Sequence, residues 1–202
     1  ALALLAAFGA GCTTTTSVLP GVLVPQPPAE MVLAASRGHA EVLADARDAG
    51  ADPNAIGRAE SGDRGTPLIA ATAHDRPEAV RVLLARGADP SLPDSTGNTP
   101  LRYSADGRSP ASARRLLDAG AVVDAPNDDG STPLRWAAFT GATGVIEVLL
   151  DAGADLEHRG PRGTTPLLSA VQTFGDTYGN TAAVALLLDR GADPTAADDR
   201  GT

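Results

Sequence analysis

An all-α repeat solenoid, about five helix-turn-helix repeats joined by β-turn tips, is the fold class this sequence predicts. Two periodic markers carry the prediction. The tripeptide Thr-Pro-Leu starts at Thr66, Thr99, Thr132 and Thr165, three successive gaps of 33 residues. The dipeptide Gly-Ala starts at Gly50, Gly87, Gly120, Gly153 and Gly191, with gaps of 37, 33, 33 and 38. Two insertions therefore interrupt one shared period. Such a period marks stacked units, none of which buries its apolar face alone.

In chain order, the first 29 residues form a separate object. No charged residue precedes Glu30, and the apolar run Ala1 to Phe8 continues through Gly9-Ala10-Gly11-Cys12. Twelve helical residues reach about 18 Å, short of the ~30 Å hydrocarbon core of a bilayer. Residues 1–12 read as a signal-peptide apolar region that lacks its basic start and initiator Met, so the sequence is expected to begin inside a precursor. Ala10-Gly11-Cys12 resembles the lipobox of a bacterial lipoprotein, with Gly9 where Leu is usual. Lipidation at Cys12 is the expectation; an ordinary secretory peptide with a chance Cys is the alternative. A diacylglycerol plus an acyl chain would anchor stably, whereas one chain would not. Residues 13–28, Thr/Ser-rich and then Pro-rich, suit an extended tether.

Residues 29–202 carry the repeats, divided at about 29–61, 62–95, 96–128, 129–161 and 162–200. Thr before Pro starts a helix, because the hydroxyl caps a free N–H and Pro lacks the donor anyway. A first helix follows, as in Leu134-Arg135-Trp136-Ala137-Ala138. A second begins near Gly144 and stops at Gly153, since Gly alone enters the left-handed region cheaply. Helices of eight to ten residues are expected, too short to persist unstacked. One insertion, Ala55 to Asp63, lengthens a tip with polar residues and reads as mobile. The other, Phe174 to Asn180, separates the two helices of repeat 5. Asp45 and Arg47 give the first repeat a polar outer face. The last second helix stays apolar at Val184 to Leu188, and the array is expected to continue past Thr202.

The run Ala34-Ala35-Ser36-Arg37-Gly38-His39-Ala40-Glu41-Val42 and the exits Gly153-Ala154-Asp155 and Gly191-Ala192-Asp193 resemble the ankyrin repeat. The resemblance covers residues 29–200. It implies a protein-binding module in which turn tips and exposed positions of each first helix meet the partner. The family's His after Thr-Pro-Leu is replaced by Ile69, Arg102, Arg135 or Leu168, removing a tip hydrogen bond. Arg108-Ser109 stands where Gly-His is usual.

Composition excludes other classes. The 202 residues carry 16 Lys+Arg against 25 Asp+Glu, a net −9, and all 16 cations are Arg. A chain this acidic lacks the basic stripe that a phosphate backbone needs, so no nucleic-acid partner is expected. One Cys and three His leave no metal centre, and no catalytic or phosphate-loop motif stands in a supporting context. No cofactor is expected and no enzyme. The expected partner is another protein, its charge basic by complementarity.

The repeat phase nominates the contact residues: Arg37, His74, Asp106, Phe139 and Thr140 on first helices, and Asp128, Asp129 and Arg162 at tips. Phe139 stands out as an aromatic at a normally solvated position. Phe174 and Tyr178 join it from the insertion; the alternative is that this loop folds back over Phe139. Trp136 and Tyr103 take a position usually Leu in the family, so core packing is their expected role. The leading reading is a binding module held at the cell envelope, monomeric unless a bare end associates. The runner-up is an immunity-type protein that occludes a toxic enzyme.

Overall fold

The computed structural model describes residues 28–48, 50–58, 64–172 and 180–201. Cys12, Phe174 and Tyr178 lie outside the described residues. Among the described residues ten α-helices run in pairs: α1 (Pro28–Arg37) with α2 (Ala40–Asp48), α3 (Pro67–Ala73) with α4 (Pro77–Ala85), and α5 (Pro100–Asp106) with α6 (Pro110–Asp118). Then come α7 (Pro133–Thr140) with α8 (Thr143–Asp151), and α9 (Pro166–Val171) with α10 (Thr181–Asp189). Each first helix stacks on the next first helix, and each second helix on the next second helix. The structure is an all-α stacked array.

The first helices α3, α5, α7 and α9 start by the same chemistry. Thr66, Thr99, Thr132 and Thr165 have extended backbone, and each hydroxyl accepts the N–H three residues on, with Pro next in chain. The first helices α3, α5 and α9 have seven, seven and six residues, shorter than the eight to ten expected. A left-handed residue follows α1, α3, α5 and α7, where Gly38, Asp75, Arg108 and Gly141 have φ of +78°, +51°, +49° and +69°, and it ends α3 and α5 early. Arg108 thus adopts the backbone that the usual Gly would. Its cost of about 1–2 kcal/mol is offset by a bond from its Nη2 to the Thr140 carbonyl, 3.0 Å away. At the far end of each pair, Gly50, Gly87, Gly120, Gly153 and Gly191 carry φ of +86° to +93°.

The core lies between the two rows and is built of small residues against Leu. Ala71, Ala105, Ala138 and Ala170 are buried in the first row; Leu83, Leu116, Leu149 and Leu187 are buried in the second. Small side chains let successive helices approach closely, and the Leu residues fill the space between. A two-stranded antiparallel ribbon pairs β1 (Gly57–Arg58) with β2 (Arg64–Gly65), and β1 packs on α1. Gly57 and Arg58 of the 55–63 insertion are thus paired, and residues 59–63 lie outside the described residues.

Candidate functional site

The tips are organised from single side chains. The Asp94 carboxylate accepts the Thr96 N–H at 2.8 Å, the Thr96 hydroxyl at 2.8 Å and the Asn98 N–H at 3.0 Å. Thirty-three residues on, Asn127 Oδ1 accepts the N–H groups of Asp129 and Ser131. Neighbouring tips are then joined: Asn127 Nδ2 donates to Asn98 Oδ1 at 3.0 Å, and the Asp128 N–H donates to the Thr96 carbonyl.

The next tip breaks this pattern at Gly160, and Arg135 is the reason. A Cβ on residue 160 would stand 2.6 Å from Arg135 Cδ. The arginine stem occupies that space, and the tip closes instead as a 3₁₀ turn, Pro161–Gly163, with Arg162 at φ +59°. Arg135 Nε donates to Thr164 Oγ1 at 3.1 Å and its Nη1 donates to Ser131 Oγ at 2.8 Å. The hydrogen bond expected to be lost with the family's His is therefore replaced here, and it spans two tips. Burial holds the Arg135 guanidinium below the ordinary arginine value, opposed by the charge of Asp129.

Beside the tips, one ladder of side chains crosses from α5 to α7. Tyr103 Oη donates to Asp94 Oδ2 at 2.7 Å. Arg102 lies with its Cζ 5.2 Å from the Tyr103 ring centre and 3.9 Å from that of Trp136, within cation–π range. Asp106 braces both partners, taking Trp136 Nε1–H at 2.8 Å and Arg102 Nη1 at 3.3 Å. Trp136 then meets Phe139 with ring centres 5.2 Å apart and planes at 31°. Burial, reinforced by the Asp94 carboxylate, pushes the Tyr103 phenol up to about 12. For Asp94, partial burial acts upward, but the bonds from Tyr103, Thr96 and Asn98 outweigh it and hold the carboxyl below its ordinary value.

Tips and ladder together wall a groove of about 1040 Å³, with Arg102, Arg135, Trp136, Phe139, Arg162 and Ser169 among its lining residues. A second groove of about 940 Å³, lined by Ile56, Ile69, Pro93 and Tyr103, adjoins it at Thr96. Trp136 packs against the core, as its position leads one to expect, yet it also reaches the groove.

Of the residues nominated from sequence, Phe139, Asp129 and Arg162 line this groove. Phe139 is half-buried rather than fully solvated, because Trp136 covers one side of it. Asp106 is engaged in the brace. Thr140 donates its hydroxyl to the Trp136 and Ala137 carbonyls, closing α7. Arg37 and His74 are exposed at the ends of α1 and α3, outside this groove, and Asp128 is exposed beside Gly97. Sequence reasoning missed Arg102 and Arg135 as site residues. The available signal was an Arg after Thr-Pro-Leu in two adjacent repeats.

Among the described residues no group of His, Cys, Asp and Glu could hold a metal ion, and no helix is long and apolar enough to cross a membrane. A search of curated proteins finds no match to this chain. The family model for ankyrin repeats, three copies in length, matches residues 31–127 and again 111–198. Capped helix pairs, glycine exits and stacked tips are that family's architecture, and this chain belongs to the ankyrin-repeat family.

Proposed function

We propose that the chain is a non-catalytic module that grips a partner protein in the groove between its tips and first helices. The carrying observation is the Trp136–Phe139 pair, an aromatic platform held open to the groove by the Asp106 brace. A few residues, with Trp, Tyr and Arg enriched among them, carry most of the binding energy of a typical interface. Asp129 and Arg162 border the platform in this reading. Thr140, Asp106, His74, Arg37 and Asp128, with Phe174 and Tyr178, extend the contact surface along the array.

A photo-crosslinking side chain placed at Phe139 should capture partner, while the same group at Glu147, exposed on α8, should not. Phe139→Ala should weaken the captured complex by ~1–3 kcal/mol at unchanged helicity. Equal capture at both sites would refute the groove. A collapse of the melting temperature in Phe139→Ala would make the residue core instead.

We further propose that residues 1–28 deliver this module to the bacterial cell envelope, with Cys12 lipidated and residues 13–28 as tether. The charge-free apolar run ending in Ala10-Gly11-Cys12 supports this. In fractionated cells the wild-type precursor should pellet with membranes and Cys12→Ser should not; identical distribution would remove the anchor.

A further inference from the structure

The net charge of −9 argues for a basic partner, but the groove carries the opposite sign. Among the described residues its lining holds Arg102, Arg135 and Arg162 against a single carboxylate, Asp129. Arg102 is paired with Asp106 and stacked on Trp136. Arg135 and Arg162 differ. Among the described residues neither forms an ion pair, and the two hydroxyls that Arg135 bonds engage only part of its five N–H donors.

The two cations are neighbours by construction, because the Arg135 stem lies against Gly160, two residues before Arg162. The same groove contains a polar atom without a partner among the described residues: the hydroxyl of Ser169, a residue 1% exposed. A buried polar group left unsatisfied is costly, and a cation facing a partly desolvated groove gains most from a carboxylate. Long-range repulsion from the acidic surface does not prevent this, since charges beyond about 8 Å are screened at physiological salt.

We infer that the segment this groove receives is acidic: an extended peptide stretch of a partner protein that places an Asp or Glu carboxylate between Arg135 and Arg162. An adjacent residue then covers the Trp136–Phe139 platform. The inference rests on the groove being the binding face, and it reverses the charge expected of the partner.

The test is selection of a random twelve-residue peptide display library on the full 202-residue chain, with single-stranded oligothymidine as a separate probe. Selected peptides should be enriched in Asp and Glu over Lys and Arg. Their affinity should fall about tenfold with Arg162→Gln, an exposed position that leaves the fold alone, and further with Arg135→Gln added. Enrichment of basic or neutral peptides that still depend on Phe139 would overturn the acidic partner while leaving the groove intact. Acidic peptides indifferent to Arg162→Gln would overturn it equally. Peptides insensitive to Phe139→Ala, or none selected, would bring down the groove reading as well. Arg162-dependent binding of oligothymidine in place of peptide would assign the cations to phosphate.

Discussion

Tyr103 and Asp94 make one hydrogen bond, and its consequence for pH is specific. The phenol is neutral in the folded chain up to about 12, while an unfolded tyrosine ionises near about 10. Between these values the unfolded state has lost a proton that the folded state keeps. Stability therefore falls as pH rises from about 10 through about 12, and the contribution is fully present below that window. Asp94 works in the opposite sense: its carboxyl is held low in the fold, so its contribution is present at neutral pH and fades as acid protonates it. Denaturant midpoints measured across the alkaline range should decline less steeply in Tyr103→Phe than in wild type. Parallel curves would show that the phenol carries no such linkage.

At the scale of elements, the tips show how two repeats exchange roles. Asp94 and Asn127 stabilise their own turns from within, whereas the turn that starts at Gly160 is held by Arg135, which reaches it from α7. Gly160 has ordinary extended backbone, φ −82°, so its missing side chain serves the approach of Arg135 and not a left-handed turn. Gly160→Ala should push the arginine stem aside and lose bonds to Thr164 and Ser131, at roughly 1–2 kcal/mol. In an Arg135→Ala background the same change should cost almost nothing. This is a double-mutant cycle with a large coupling term. Additive losses from chemical denaturation would disprove the coupling.

In the whole molecule, each helix pair is too small to persist alone, and stability resides in the faces between neighbours. Leu149 of α8 is fully buried where α6, α8 and α10 stack in sequence. Leu149→Ala should cost about 2–5 kcal/mol, expressed as one shift of a single unfolding transition recorded by circular dichroism. A biphasic curve would mean that this site links two independently folding blocks.

Local chemistry made the capped starts and the glycine exits readable from sequence, because each depends on residues a few positions apart, and their recurrence every 33 residues made the period readable. Phe139, an aromatic out of place in the repeat phase, is among the groove's lining residues. The ladder was not readable in this way. Arg102 meets Trp136, and Trp136 bonds Asp106 thirty residues away. Arg135 likewise meets Thr164 across 29 residues. Only stacking brings such pairs together, and until it does an Arg after Thr-Pro-Leu is merely a departure from pattern. The early helix ends at Asp75 and Arg108 were hidden for a related reason, since the array forces a left-handed backbone that neither residue prefers. The sign of the groove also belongs to the tertiary structure. Composition reports the sum of all charges, but a partner meets only those that folding has gathered on one face.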